Sequence, residues 1–132
     1  MNSGDAAEAR TLALRALAMP ALANPHGDIF GGWLLSQMDL AGGMVATRRA
    51  KGRVVTVGIT TISFHHPVYV GDEVSCYAEI VEVGRTSVTV KIEVFADRGS
   101  TGEEIAVTDG LFTYVAVDSQ GKPRPVASLR RK

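Results

Sequence analysis

Between Ile29 and Thr47 the only charged residue is Asp39. A carboxylate set in an apolar stretch gives up several kcal/mol of hydration unless a charge or hydrogen bonds compensate it. Two readings account for it. One is chemical: the group acts as a general base toward water, or as a nucleophile that forms a mixed anhydride with an acyl group. The other is structural: the side chain is satisfied by a neighbouring amide or hydroxyl, or points to solvent along a narrow stripe. Three and four residues further on stand Gly42 and Gly43. Two glycines inside a helix sacrifice roughly 2 kcal/mol of propensity. They are expected to clear space beside Asp39 for a ligand or for another backbone, a symmetry-related helix included.

A second group of residues precedes it. Gly31-Gly32 opens the same apolar stretch, directly after Asn24, His26 and Asp28. Backbone N–H groups at a helix start, free of side chains, can receive the negative charge that develops on a carbonyl oxygen under attack. Taken alone, a double glycine can equally be a tight entry into a helix. Distance then constrains the architecture. From Gly32 to Asp39 is seven residues, or about 10 Å along a helix axis. One acyl carbonyl cannot meet both in the same chain. If both act on one bond, Asp39 must come from a second subunit whose helix runs antiparallel, which makes a dimer with two shared sites.

The elements that must position these residues follow from patterning. Gly31 to about Lys51 reads as a helix with almost no polar face, expected to be buried on most sides, and Lys51-Gly52 closes it with Arg48 and Arg49 suited to its negative end. Thr11 to Met19 is ambiguous between strand and helix, and Pro20 stops it. Val54 to Phe64, Asp72 to Val83, Ser87 to Ala96 and Ile105 to Val117 read as strands, the last broken at Asp109-Gly110. Short loops between the last three imply antiparallel neighbours. One apolar helix with about four long strands is an α+β arrangement, the sheet packed on or wrapped around the helix.

Composition bounds the rest. The 132 residues make one domain, with 45% hydrophobic and 21% charged residues as in an ordinary globular protein. Residues 1–10 are expected as a flexible N-terminus, 11–118 as the domain, and 119–132 as a loose basic tail. Lys plus Arg and Asp plus Glu both total 14, so no net field draws nucleic acid or an anionic membrane. No apolar run approaches the roughly 20 residues of a membrane helix, and no signal peptide is evident. A single cysteine, Cys76, fits a reducing cytoplasm. The scattered His26, His65 and His66 form no metal-ligand pattern.

The run from Met19-Pro20 through Asn24, then Gly27-Asp28-Ile29-Phe30-Gly31-Gly32-Trp33, Ser36-Gln37-Met38-Asp39 and Gly42-Gly43, resembles the YciA-type acyl-CoA thioesterases of the hotdog-fold superfamily. The likeness continues through Gly52 to Val57, Phe64 with Pro67, Val70-Gly71-Asp72, Val83 to Ser87, Val107-Thr108-Asp109, Phe112-Thr113 and Val115 to Asp118. It covers about residues 11–118 in order.

The resemblance implies a hotdog fold, an antiparallel sheet wrapped around a long central helix. Subunits would pair as homodimers, with a trimer of dimers, a hexamer, as the common assembly. The implied activity is hydrolysis of acyl-CoA to a fatty acid and CoA, with coenzyme A present only as part of substrate and product and with no metal. Asp39 would be the catalytic carboxylate, Asn24 of the opposite subunit would hold water or thioester, and the Gly31 and Gly32 amides would polarise the carbonyl. Arg85, Thr86 and Ser87 would contact the phosphates and adenine of CoA, with Gly84 and Phe64 grouped with them as substrate contacts. A guanidinium beside hydroxyls suits a phosphate, although an exposed arginine in a turn between strands is the commoner meaning of such a segment. The chain departs from the pattern at His66, where relatives often carry a basic residue before the proline, and at Ala21-Leu22, where they carry an acidic pair. The pattern does not require His26.

Two other functions remain open on the sequence. An acyl-thioester hydratase or dehydratase would need a histidine paired with a carboxylate, for which His26 and Asp39 are the one combination. A non-catalytic acyl-CoA sensor would bind without turnover, yet this chain offers no extra DNA-binding region.

Overall fold

The computed structural model describes residues 10–99 and 102–126. Runs rich in Val, Ile and Thr take the pleated conformation, where branched side chains pack across strands. Five strands result: β1 (Thr11–Leu17), β2 (Val54–Phe64), β3 (Glu73–Val83), β4 (Ser87–Asp97) and β5 (Glu104–Ala116). They form one sheet in the order β1-β3-β4-β5-β2, antiparallel at every junction. A 3-10 turn at Pro20–Leu22 precedes the one long helix, α1 (Gly31–Ala50). This is the hotdog arrangement.

The ambiguous N-terminal run is a strand. Thr11 lies opposite Ala78 and Leu17 opposite Glu73, so tertiary pairing with β3 decides what periodicity left open. At the other end of α1, Lys51 takes a left-handed conformation (φ 58°) and its amide, with that of Gly52, closes onto the Thr47 carbonyl.

Period-two alternation in β4 puts Val88, Val90, Ile92, Val94 and Ala96 on the buried side of the sheet. The helix meets that side with Leu34, Met38, Ala41, Gly42, Ala46 and Ala50, and Phe112 and Tyr114 of β5 fill the space between. The expectation of a helix buried on most sides is corrected here. One sheet covers one side only, and Leu40 and Met44, one turn apart, stay 57% and 40% exposed. Val57, Ile59 and Phe64 on the edge strand β2 are exposed as well. No helix among the described residues is long and apolar enough to cross a membrane.

β5 runs unbroken through Asp109-Gly110, where the sequence suggested an interruption. Gly110 pairs with Ile62 on one side and Ile92 on the other. It marks a close approach and not a turn: an added Cβ would lie 2.7 Å from the Thr61 carbonyl oxygen and collide with the Ile62 side chain. Residues 118–126 are tied down, although the sequence read as a loose end from 119. Asp118 Oδ1 accepts from the Gln120 and Lys122 amides, both at 2.9 Å, and the Arg124 amide donates to the Ala116 carbonyl at 2.9 Å. The remainder of that expected tail, from residue 127, lies outside the described residues, as do residues 1–9.

Gly110→Ala tests this account of β5. The β2–β5 backbones must separate to admit a methyl group, so the variant is expected to lose about 1–3 kcal/mol. Thermal unfolding measures it, and an unchanged midpoint would mean the strands do not approach this closely.

Candidate active site

Asp39 sits half-buried on the third turn of α1, and two neighbours in the sheet hold it from different sides. Thr56 Oγ1 donates to Asp39 Oδ1 at 2.7 Å. The Tyr114 hydroxyl donates to the Asp39 main-chain carbonyl at 3.0 Å. Thr56 and Tyr114 are cross-strand partners in the β2–β5 ladder, so a single register point supplies both donors. Burial first, and then the nearby Asp39 charge, push the Tyr114 phenol well above its ordinary range. It stays a neutral donor.

Gly42 serves this arrangement, which corrects its reading as space for a ligand or a second helix. A Cβ there would collide with the Tyr114 hydroxyl and come within 2.8 Å of Ile92 Cδ1. The glycine makes room for the chain's own phenol. Gly43 differs: a Cβ there would meet Tyr114 at 3.8 Å, an ordinary contact. Gly43 lines a hollow of about 480 Å³ together with Asp39, Leu40, Met44, Val54, Thr56 and Tyr114, and with Thr47 and Arg48. The hollow is apolar along Leu40, Met44 and Val54, with Thr56 and Tyr114 beside the carboxylate and Thr47 and Arg48 further along the helix.

The helix start builds a second, separate hollow. Asn24, Asp28, Gly31, Leu34, Phe64, His65 and His66 are among its lining residues. The loop before α1 is laced by Asn24, whose Oδ1 accepts from the His26 amide at 2.9 Å and the Asp28 amide at 3.1 Å. With the oxygen so committed, the Asn24 side chain offers its NH2 as a donor outward. Phe30 caps the helix without any side-chain hydrogen bond. The Gly31 and Gly32 amides make no hydrogen bond to a described residue, whereas those of Trp33 and Leu34 fold back onto the Phe30 carbonyl. Nothing lies within 4 Å of a Cβ built on Gly32, and the Phe64 ring is the nearest group to one on Gly31, at 3.5 Å. Amides without a partner, on residues with no side chain to crowd them, can receive an anionic oxygen.

Sequence reasoning therefore named two clusters that the single chain keeps apart. Asn24, Gly31, Gly32 and Phe64 gather at the start of α1 and Asp39 lies in the other hollow. Gly84, Arg85, Thr86 and Ser87 form the β3–β4 turn, closed by the Gly84 amide on the Ser87 carbonyl at 2.8 Å. Ser87 lies opposite Val115 and Ala116 opposite Val54, which places the turn at the end of the sheet where α1 finishes, away from Phe64. Arg85 is exposed and its guanidinium makes no bond to a described residue. Thr56 and Tyr114 were missed. Their signal, the β2–β5 register, cannot be seen along the chain.

Other reactive groups find structural roles. Burial pushes the Cys76 thiol up to about 12, which leaves it protonated and inert. Asp72 is buried, accepting from the Tyr69 amide at 2.9 Å and from Arg98 Nε at 3.1 Å. His65 Nε2 lies 2.8 Å from Asp109 Oδ2, and His66 Nδ1 lies 3.0 Å from the Ala106 carbonyl. Within one chain the His26 and Asp39 pair needed for a hydratase is not brought together, since the chain's own lining of the Asp39 hollow holds no histidine. Among the described residues no group of three or more His, Cys, Asp and Glu could hold a metal.

Comparison with known proteins adds to this geometry. The model of the thioesterase superfamily matches residues 26–103. The acyl-CoA thioester hydrolase YciA of Salmonella typhimurium is 52% identical over 118 residues, which cover 87% of this chain and 89% of that protein. The protein of the same name from Escherichia coli is 53% identical over 116 residues, covering 86% and 88%. Among solved structures, a hexameric thioesterase from Yersinia pestis superposes with a TM-score of 0.85 at 51% identity, covering 89% of this chain and 96% of that one. A hexameric hotdog fold thioesterase of Campylobacter jejuni superposes with a TM-score of 0.82 at 46% identity, covering 88% and 90%.

The two glycines of α1 are expected to answer differently to alanine. Gly42→Ala gains about 1 kcal/mol of helix propensity, but overpacking against Tyr114 and Ile92 outweighs it and leaves a net loss of roughly 1–2 kcal/mol. Gly43→Ala keeps most of the propensity gain while narrowing the hollow. Thermal unfolding of both variants checks the contrast, and equal behaviour would remove the assigned role of Gly42.

Proposed function

The chain belongs to the thioesterase superfamily and, within it, to the YciA acyl-CoA thioester hydrolases, and from that premise we propose how its residues divide the reaction. Water adds to the thioester carbonyl of an acyl-CoA, the C–S bond breaks, and a carboxylic acid and the free thiol of CoA leave. Asp39 takes the proton from the attacking water as general base. Thr56, bonded to Oδ1, fixes the carboxylate, and Oδ2 remains as the oxygen that takes the proton. The Gly31 and Gly32 amides of the other subunit stabilise the oxyanion, and the Asn24 NH2 of that subunit holds the water or the thioester in place. The proton accepted by Asp39 passes to the departing sulfur. No metal or further cofactor enters this scheme.

The observation that carries the reading is the division of the site between two hollows, one with an anchored carboxylate and one with unpaired donors. Neither is sufficient alone. Pairing two copies with their α1 helices antiparallel brings one hollow of each against the other of its partner and covers the exposed Leu40 and Met44. Burial of such apolar surface drives association. Three dimers would then make a hexamer, the state in which the Yersinia pestis and Campylobacter jejuni proteins are described. The same pairing sets the Arg85–Ser87 turn at the mouth of a site whose acyl end lies along Leu40, Met44 and Val54. Arg85, Thr86 and Ser87 then meet the nucleotide of CoA, and Phe64, with Gly84 shaping the turn, completes the substrate contacts.

Thiol release from acyl-CoAs ranging from acetyl to palmitoyl tests the activity and ranks chain lengths. Asp39→Ala is expected to lose about 10²-fold or more of kcat, and full activity in that variant would sink the assignment. Co-expression of Asp39→Ala with Asn24→Ala tests the sharing of sites. Random pairing makes half the dimers mixed, each with one intact site, so about a quarter of the wild-type rate should return. Sites built within one chain would recover nothing.

A further inference from the structure

The last described segment of the chain has a job that the hydrolytic chemistry does not explain. Asp118 turns the chain back on itself, with Val117 bridging to Pro123. Arg124 then reaches across. Its Nη2 donates to the Ala50 carbonyl at 3.1 Å and its Nε to the Val117 carbonyl at 3.0 Å, while its amide holds the Ala116 carbonyl at 2.9 Å. The Ala50 carbonyl belongs to the set that a helix end leaves without partners, and a cation there also meets the negative end of the dipole. One side chain thus joins the end of α1 to the end of β5.

The sequence makes room for it elsewhere. A Cβ at Gly52 would stand 2.5 Å from Arg124 Nη2, so the glycine just after the helix leaves the guanidinium its place, and a larger residue there would push that end of the Arg124 side chain aside. Pro123 and Pro125 flank the arginine and stiffen the strap. Two residues beyond Arg124, the Val126 amide donates to the Arg85 carbonyl at 2.8 Å, and the neighbouring Thr86 carbonyl receives the Ala116 amide at 2.8 Å. The strap therefore runs from the helix that carries Asp39 to the turn that carries Arg85.

We propose that Arg124 is a positioning residue for acyl-CoA, locking the Arg85–Ser87 turn to the end of α1 so that the nucleotide contacts and the Asp39 hollow keep a fixed span. This rests on the reading of that turn as the nucleotide contact. A substrate gripped at two places gains from both only when their separation is preset, because otherwise part of the binding energy goes into ordering the turn. Loosening the strap weakens the grip on the nucleotide and leaves the chemistry at the thioester alone.

Steady-state kinetics on two substrates reads this out: an acyl-CoA, and the matching acyl-pantetheine, which has the thioester but no nucleotide. Arg124→Ala is expected to raise KM for the acyl-CoA roughly five- to tenfold, the effect of one or two lost hydrogen bonds. Its kcat, and its kcat/KM for acyl-pantetheine, should stay within about twofold. Arg124→Lys, which can reach one carbonyl but not span two, should recover part of the loss. Val126→Pro removes the amide that holds Arg85 while leaving Arg124 in place, and should give the same split, so the test survives if Arg124→Ala fails to fold. Arg85→Ala separates the two levels of inference. If it raises KM for the acyl-CoA alone while Arg124→Ala or Val126→Pro does not, the positioning role is overturned and the nucleotide reading stands. If Arg85→Ala leaves KM unchanged, the nucleotide reading falls and takes the positioning role with it. A loss of kcat shared by both substrates in the strap variants would mean that the strap supports the fold and not the span.

Discussion

Everything near the carboxylate depends on how the β2–β5 pair grips one turn of α1. Thr56 and Tyr114 stand opposite each other in the ladder, one at the sheet edge and one in the core. The edge residue holds the Asp39 side chain and the core residue holds its main chain. Position and orientation of the carboxylate are thereby set by separate bonds from a single point of register. A slip of one residue in β2 would send its side chains to the opposite faces and take the Thr56 hydroxyl away from Asp39. The cost appears in the helix, where Gly42 gives up propensity so that a phenol can approach. A helix glycine of this kind records a packing demand made by a strand.

That dependence also explains which parts of the structure were legible in the sequence. Elements whose signal is local were readable: Val54–Phe64 as a strand, Gly31 to the Lys51-Gly52 stop as a helix, and Asp39 as the exceptional charge. Gly42 was noticed and its purpose was mistaken, because its partner Tyr114 lies 72 positions away and only the fold brings them together. Gly110 was misread for the same reason, since a glycine that permits two strands to touch looks along the chain like one that turns it. Thr56 entered only as part of the family likeness from Gly52 to Val57, and its bond to Asp39 was not foreseen. A threonine in a strand rich in threonine has no local mark, and its role comes from pairing with Tyr114.

The separation of Asp39 from Gly31-Gly32 is a matter of helix geometry and could be stated before any coordinates. A rise of about 1.5 Å per residue puts the open amides and the carboxylate too far apart for one carbonyl. What the fold adds is that each group sits in its own hollow, and that the helix face bearing Leu40 and Met44 has no cover from the chain's own sheet. An uncovered apolar face beside half of a site is a physical argument for a second copy, because closing the surface and completing the chemistry then become one event.

The two ends of the sheet carry different kinds of order. At the start of α1 the loop is organised by Asn24 accepting two amides, which leaves its NH2 and the glycine amides facing outward as donors. At the far end the chain returns after β5, and Arg124 binds helix, strand and strap together through the carbonyls of Ala50, Ala116, Val117 and Pro125. Antiparallel pairing would set the first kind of end against the second. A reaction centre of loop donors would then face a frame whose spacing is fixed by a guanidinium. A reaction of this type gains most when its charge-stabilising groups are set before the substrate arrives. Within one chain the carboxylate is already fastened by hydrogen bonds, and in the proposed pairing the open amides would stand opposite it, set before the substrate arrives.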